Sequence, residues 1–201
     1  MTRIKLCGLR REEDIRTANE LRPDYIGFVF APKSRRAVSR ETAARLKAML
    51  DPAIPAVGVF VDEEPEAVAS LLEDGIIDLA QLHGHEDEAY IARLRELTGK
   101  PIIQAFRVRS REDAEAAERS PAEYILLDAG AGDGKTFEWD LVSGIRRPYF
   151  LAGGLTPENA PAAVERLRPF ALDVSSGIET DGVKDPARMR AFVETVRGMQ
   201  K

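Results

Sequence analysis

The fold is decided by residues 149–178, which read YFLAGGLTPENAPAAVERLRPFALDVSSGI. A short apolar run at 149–152 leads through two glycines to Thr156, which is followed by a proline and a glutamate. A capping residue followed by proline and an acid is typical of the start of a helix. A second apolar run follows at 170–174. The stretch therefore predicts a strand, a helix and another strand, the unit from which parallel sheets are built.

The same unit recurs along the chain. Eight short apolar runs start at a mean interval of about 24 residues, which is enough for one strand, one helix and two short loops. Helical patterns lie between them, for example at 11–21 and 40–50, and Ser39 and Ser110 are candidate helix caps. The predicted strands are residues 4–7, 25–30, 56–61, 79–83, 102–106, 124–128, 149–152 and 170–174.

This alternation predicts an α/β protein whose parallel sheet is either open or closed. Eight units of nearly equal length favour closure into a (β/α)₈ barrel, the TIM-barrel architecture, at close to its minimal length. An open dinucleotide-binding sheet would carry a Gly-x-Gly-x-x-Gly turn after its first strand, and none is present there. We therefore expect residues 1–201 to form a single-domain (β/α)₈ barrel.

Composition argues against several classes of partner. The 34 acidic and 29 basic residues are interspersed and give a net charge of −5, so we expect neither nucleic acid nor a membrane surface as a partner. No run approaches the roughly 20 apolar residues of a membrane span, and no signal peptide is expected at the charged N-terminal segment. The single cysteine, Cys7, suits a reducing compartment. We expect a cytoplasmic monomer or homodimer acting on a small molecule.

Polar residues at strand ends are informative because such barrels build their active site at the C-terminal ends of the strands. Cys7 ends the first predicted strand and Asp128 the sixth, which gives a candidate base and a candidate acid across the mouth of the barrel. Lys5 lies on the same side of its strand as Cys7, where an ammonium would lower the pKa of the thiol. The alternatives are that Cys7 is a buried hydrophobe and that Lys5 extends to the lower rim.

Three further polar residues are predicted to line the same mouth. Alternation along a strand places Gln81 and His83 on one side, and Asp173 on the side of Ser175. Closure would put strand eight beside strand one, so Asp173 could pair with Lys5 or contact a ligand. The alternative for His83 is a histidine with satisfied hydrogen bonds in the core. No metal ligand set is predicted.

The last two strands run into loops that suit an anion. Gly153 and Gly154 follow the seventh strand, and Ser176 and Gly177 follow the eighth, where a short turn of helix could begin. Backbone N–H groups that converge in such loops bind phosphate without requiring net positive charge. Barrels of this type commonly hold phosphate there. The alternative is a pair of tight turns with no ligand.

Short motifs in a compatible order over nearly the whole chain resemble the phosphoribosylanthranilate isomerases, the enzymes of tryptophan biosynthesis that catalyse an Amadori rearrangement. The motifs that carry the resemblance are KLCG (5–8), GFVF (27–30), PKSRR (32–36), VGVFV (57–61), QLHG (81–84), LD (127–128), GKTFEW (134–139), LAGGL (151–155) and DVSSGIE (173–179).

The resemblance implies a cofactor-free isomerase that converts N-(5-phosphoribosyl)anthranilate to 1-(2-carboxyphenylamino)-1-deoxyribulose 5-phosphate. It implies that Asp128 is the general acid, which protonates the ribose ring oxygen, and that Cys7 is the general base, which removes the C2′ proton. It also implies that Arg36 meets the anthranilate carboxylate, while Arg35 faces solvent.

One departure from the family pattern lies in the loop after strand six. Asp133 stands in this loop where the family has Ser or Thr, and it would repel a phosphate that Gly132 and Gly134 help to bind. Two other functions therefore stay open: a phosphate-binding module without catalysis, and another sugar-phosphate isomerase such as that of the imidazole pathway. The latter family has an acid in place of Cys7, which argues against it.

Overall fold

Eight parallel strands close into a barrel in the computed structural model, which describes residues 1–128, 139–142 and 144–199. Each strand pairs with the next along the chain, and the eighth pairs with the first, so the predicted (β/α)₈ barrel is confirmed. The strands are β1 (Arg3–Cys7), β2 (Tyr25–Val29), β3 (Ala56–Phe60), β4 (Leu79–Leu82), β5 (Ile102–Arg107), β6 (Tyr124–Asp128), β7 (Tyr149–Ala152) and β8 (Ala171–Val174).

Helices connect most of the strands and cover the outside of the barrel. As predicted, Ser39 and Ser110 cap two of them, accepting hydrogen bonds from the backbone N–H groups of Thr42 and Asp113. The helices are α1 (Glu12–Leu21), α2 (Arg40–Met49), α3 (Pro65–Glu73), α4 (Glu88–Leu97), α5 (Arg111–Glu118), α6 (Ala160–Leu167) and α7 (Pro186–Gly198). None of them, over the residues described, is long and apolar enough to cross a bilayer.

Two features of the strand–helix alternation differ from the prediction. Between β6 and β7, residues 139–142 and 144–148 contain a 3₁₀ helix (Trp139–Leu141) and no α-helix. The helix after β7 starts at Ala160, four residues after Thr156, although the residues between them already turn: the Ala160 N–H donates to the Thr156 oxygen at 3.0 Å, and Asn159 Oδ1 accepts the Thr156 N–H at 2.8 Å. A small antiparallel hairpin, β9 (Glu179–Thr180) and β10 (Val183–Lys184), follows β8.

Alternation along the strands separates two sets of side chains. On β1, Ile4 and Leu6 belong to the large apolar core that the strands share with the helices, while Lys5 and Cys7 point into the barrel. The lower half of the barrel interior is a second apolar cluster that includes Tyr25, Leu126 and Phe150. The upper half is polar, and it is there that the candidate site lies.

Candidate active site

The C-terminal mouth of the barrel opens into a cavity of about 660 Å³. Every predicted site residue within the described ranges lines this cavity, whereas Gly132 and Gly134 lie outside those ranges. The predicted residues that meet here are Cys7, Arg36, Gln81, His83, Asp128, Gly153, Gly154, Asp173, Ser176 and Gly177.

Cys7 lies at the end of β1 with its thiol against Gly27 of β2. The two residues are paired in the sheet, and a Cβ at Gly27 would come within 2.7 Å of Sγ, so only glycine leaves room for the thiol. Burial raises the pKa of Cys7, and the opposing effect of Lys5 is smaller. Lys5 lowers this pKa, as predicted, but the net direction is upward because the site excludes water more strongly than Lys5 stabilises the thiolate.

Lys5 is fully buried inside the barrel, so the alternative that it extends to the lower rim is wrong. Its Nζ donates to Asp173 Oδ2 at 2.9 Å and to Gln81 Oε1 at 2.7 Å, which confirms the predicted pairing with Asp173. Burial alone would lower the pKa of Lys5, but the neighbouring Asp173 and Cys7 raise it, and the net direction is upward. Lys5 is therefore a charged group in the barrel interior.

Asp173 leaves one carboxylate oxygen available to a ligand. Its Oδ2 is bound by Lys5, whereas Oδ1 is buried and has no hydrogen-bond partner among the described residues. Buried acceptors are rarely left unpaired in native proteins. Because Asp173 also lines the cavity, this oxygen is suited to accept a hydrogen bond from a bound molecule.

Gln81 and His83 lie on the same side of β4, as predicted, and connect Lys5 to Asp128. Gln81 Nε2 is 2.9 Å from His83 Nδ1, and His83 Nε2 is 3.2 Å from Asp128 Oδ2. The His83 side chain is 24% exposed at the cavity wall, so the alternative of a core histidine is wrong. The candidate acid, Asp128, is thereby held by a neighbour from another strand.

Arg36 reaches the cavity over Gly8, which has a backbone φ of 80° and whose Cβ, if present, would come within 2.5 Å of Arg36 Cδ. Its Nε and Nη2 donate to the two carboxylate oxygens of Glu179 at 2.6 and 2.9 Å. Arg35 is 60% exposed, as predicted, and donates to the same carboxylate. The guanidinium of Arg36 is thus held in a fixed plane beside the cavity.

Glu179 accepts hydrogen bonds from three cationic side chains, those of Arg35, Arg36 and Lys184. Burial alone would raise the pKa of Glu179, but hydrogen bonds from Arg36 and Lys184 outweigh burial and lower the pKa to about 2. Lys184 Nζ also donates to the backbone oxygen of Ser175 at 2.8 Å. This hydrogen bond connects the hairpin β9–β10 to the residue after β8.

The loops after β7 and β8 contribute a further part of the cavity wall. Gly153 and Gly154 have φ angles of 95° and 62°, which other residues rarely adopt. The predicted short turn of helix is confirmed as a 3₁₀ helix, Ser176–Ile178. A Cβ at Gly177 would come within 1.8 Å of the Leu155 oxygen, so this glycine lets the two loops meet.

Several residues that line the cavity, or that bind its lining residues, carried no predicted role. Glu179 was part of a motif without an assigned function, and nothing in the sequence spacing pointed to Arg107, Lys184 or Arg188. Arg188, from α7, donates to the Gly177 oxygen at 3.1 Å and adds a cation beside the glycine-rich loops. Over residues 1–128, 139–142 and 144–199, no group of three or more His, Cys, Asp or Glu side chains is arranged to hold a metal ion.

Comparison with known proteins agrees with this geometry. Residues 4–195 match the family model described as "PRAI: N-(5'phosphoribosyl)anthranilate (PRA) isomerase". The N-(5'-phosphoribosyl)anthranilate isomerase of Endomicrobium trichonymphae is 45% identical over 202 residues, covering 98% of each chain. That of Thermoanaerobacter sp. strain X514 is 41% identical and covers 100% of both chains.

Solved structures give the same result. Phosphoribosyl anthranilate isomerase from Thermotoga maritima superposes with a TM-score of 0.90 at 38% identity, covering 98% of this chain and 100% of that one. A phosphoribosyl anthranilate isomerase in complex with reduced 1-(o-carboxyphenylamino)-1-deoxyribulose 5-phosphate superposes with a TM-score of 0.88, at the same identity and coverage. The chain therefore belongs to the N-(5'-phosphoribosyl)anthranilate isomerase family.

Proposed function

We propose that the cavity binds N-(5-phosphoribosyl)anthranilate and rearranges it with Asp128 as general acid and Cys7 as general base. Membership of the family gives the overall reaction, an isomerisation in tryptophan biosynthesis. The observation that carries the assignment is that Asp128 and Cys7, from β6 and β1, line one cavity together with the glycine-containing loops after β7 and β8. The remaining residues are assigned by the charge that each presents to that cavity.

The first step is ring opening. Asp128 gives its proton to the ribose ring oxygen, the bond between C1′ and that oxygen breaks, and the anthranilate nitrogen supplies the electron pair for a protonated Schiff base. The step needs a carboxylic acid that a neighbouring side chain holds in position and that still faces the cavity. His83, at 3.2 Å from Asp128 Oδ2, supports this group on the cavity wall.

The second step is removal of the C2′ proton by Cys7, which gives an enolamine that tautomerises to the ketone. Because burial raises the pKa of Cys7, the thiolate is disfavoured while the cavity holds no substrate. Cys7 acts as a base only after its own thiol proton has left to solvent, and the positive charge of the Schiff base together with the buried ammonium of Lys5 stabilises the resulting thiolate. The protonated Schiff base also makes the C2′ proton acidic, so ring opening precedes its removal.

Two polar groups suit the anthranilate end of the substrate. Glu179 takes the Nε and Nη2 edge of Arg36, so the substrate carboxylate would approach the end formed by Nη1 and Nη2. The buried Oδ1 of Asp173 would accept the N–H of the substrate's amino group, and its lack of a described partner supports this assignment. Gln81 contributes by fixing Lys5 beside Asp173.

The phosphate end is assigned to the loops after β7 and β8. The N–H groups of Gly153, Gly154, Ser176 and Gly177 would bind the phosphate, and Arg188 adds one positive charge nearby. Backbone dipoles and single arginines would thus hold two anionic groups in a protein with a net charge of −5. The contribution of Gly132 and Gly134 stays a prediction, since both lie outside the described residues.

Single substitutions test the assignment. We expect Cys7→Ala and Asp128→Asn each to lower kcat by roughly 10²–10⁴-fold, the usual contribution of a general base or acid, in steady-state assays with the natural substrate. Asp74→Asn, at an exposed carboxylate outside the cavity, serves as the control and should keep the parent rate. Parent rates for both cavity variants would refute the mechanism, and a chain that binds substrate without converting it would be a binding module.

We further propose that the chain works in the cytoplasm as a monomer or a homodimer. One similar solved structure, at 38% identity, is of mutually generated monomers of the dimeric isomerase of Thermotoga maritima. Both assemblies thus have a precedent among its relatives. Light scattering of the purified chain at micromolar concentration distinguishes them, and a larger assembly would contradict the proposal.

A further inference from the structure

A chain of hydrogen bonds crosses the upper barrel from Asp173 to Asp128. Asp173 binds Lys5, Lys5 binds Gln81, Gln81 binds His83 and His83 binds Asp128, with separations of 2.9, 2.7, 2.9 and 3.2 Å. The groups come from β8, β1, β4, the residue after β4, and β6. The chain therefore ends on the residue proposed as general acid.

Lys5 determines which atom donates and which accepts in each hydrogen bond of this series. An ammonium only donates hydrogen bonds, so the amide oxygen of Gln81 must face Lys5. The amide nitrogen of Gln81 then faces His83 Nδ1 and can only donate to it. Nδ1 must therefore carry a lone pair, and the proton of the neutral imidazole must be on Nε2.

We propose that Lys5, acting through Gln81, fixes His83 in its Nε2–H tautomer, and that this tautomer positions Asp128 for proton donation. His83, Gln81 and Lys5 are here positioning residues for the acid. This inference rests on the proposed role of Asp128. Its structural part, the tautomer itself, can be measured independently of the reaction.

The tautomer decides where the acidic proton of Asp128 resides. With the proton on Nε2, His83 donates to Asp128 Oδ2, which then acts as an acceptor whether or not the carboxyl is protonated. The acidic proton is left on Oδ1, from which it passes to the ring oxygen as the sugar opens. With the opposite tautomer, the lone pair of Nε2 would accept the acidic proton and withdraw it from the substrate.

Nitrogen-15 NMR of the chain labelled at histidine measures the tautomer directly. The chain has two histidines, and the exposed His85 serves as an internal reference. We expect His83 at neutral pH to give one pyrrole-type signal from Nε2 and one pyridine-type signal from Nδ1. A protonated Nδ1 in the unsubstituted protein would overturn the proposal, whatever the activity measurements give.

Gln81→Glu reverses the donor and acceptor roles at His83 with almost no change in the shape of the side chain at position 81. The new carboxylate still accepts from Lys5 but requires a donor at His83 Nδ1, so the histidine signals should change toward protonated Nδ1. We expect kcat to fall roughly tenfold or more, less than for loss of the acid itself, with KM within about threefold of the parent value. A fall in kcat with an unchanged tautomer would contradict the proposal.

Substitutions at His83 separate positioning from packing. His83→Gln can place an amide N–H where Nε2 stood, whereas His83→Leu fills the space without a donor. We expect the glutamine variant to retain several-fold more kcat than the leucine variant, and His85→Gln to match the parent. Equal losses in both His83 variants would assign His83 a purely structural role. If Asp128→Asn kept full activity while the tautomer was as expected, the proposed function would fail and the tautomer would stand.

Discussion

The lower and upper halves of the barrel interior are built by the same strands and could hardly differ more in chemistry. The lower half contains the rings of Tyr25, Tyr124, Phe150 and Phe170, with centroid separations of 5.3–5.9 Å. The upper half contains buried or half-buried ionisable and amide groups, among them Lys5 and Asp173. Along β4 and the residue that follows it, the inward-facing side chains change from apolar Leu79 to the amide of Gln81 and then to His83.

The two halves of the barrel interior therefore contribute differently to the stability of the fold and to its chemistry. Aromatic side chains in edge-to-face contact stabilise the interior beyond their simple burial. A buried ion pair costs desolvation energy that its own attraction hardly repays. We infer that the lower half, with the outer core, stabilises the barrel, and that the upper half is maintained for binding and proton transfer at some cost in stability.

The largest effect on stability is expected for Phe150→Ala. Phe150 is fully buried and contacts Tyr25, Tyr124 and Phe170, so truncation leaves a cavity that costs about 4 kcal/mol in the free energy of unfolding. Denaturant titration measures this loss, and kcat of the molecules that remain folded should be unchanged. A loss under about 1 kcal/mol, or a tenfold fall in kcat, would show that the two halves are not independent.

The ion pair of the upper half provides the opposite test. Lys5→Met leaves the buried Asp173 without its cation and should cost about 3 kcal/mol in the free energy of unfolding. The double variant Lys5→Met with Asp173→Leu removes both charges and should recover most or all of that loss. It should nevertheless be inactive, because the acceptor proposed for the substrate's amino group is gone. Additive losses from the two substitutions would contradict this interpretation.

The sequence predicted the barrel well because its signals are local. Apolar runs and their spacing placed each strand boundary within one or two residues, and the caps at Ser39 and Ser110 need only their own neighbours. The helix expected near Thr156 was placed too early, since the regular helix begins four residues later, at Ala160. The residue at which such a turn becomes a regular helix depends on backbone geometry that composition does not reveal.

Within the barrel interior, strand alternation and closure were enough to predict which side chains meet. Period two placed Gln81 with His83, and closure placed Asp173 beside Lys5. Alternation gives the side of a strand but not the depth of burial, so the sequence indicated that Lys5 lowers the pKa of Cys7 but not that burial outweighs this effect. Glu179 was missed because Arg36, which it binds, is 143 residues away in sequence, and Arg188 was missed because its contact with the Gly177 oxygen depends on how α7 packs against the end of β8.

Acid should weaken the upper half through Glu179, whose pKa is lowered to about 2 from an ordinary value of 4.5. Because the folded pKa lies below the unfolded one, the stabilisation is complete above about pH 4.5 and is lost as pH falls toward 2. We expect on the order of 2 kcal/mol of the free energy of unfolding to disappear across this range. Urea titrations from pH 2 to 6 measure it against Glu179→Gln, whose stability should vary less over the same range. Parallel curves for the two proteins would exclude Glu179 as the cause.

The smallest effect is expected for Tyr25→Phe, which alters a polar atom in the otherwise apolar lower half. The Tyr25 hydroxyl accepts a hydrogen bond from Arg3 Nη1 at 2.9 Å, while the Arg3 guanidinium also lies 4.5 Å from the centre of the Phe170 ring. Losing one such bond should cost about 1 kcal/mol in the free energy of unfolding, since the ring itself still packs against Phe150. The kcat and KM should equal those of the parent, because Tyr25 lies outside the cavity at the opposite end. A change in kcat from so remote a hydroxyl, measured at equal folded fraction, would mean that the lower half also sets the geometry of the site.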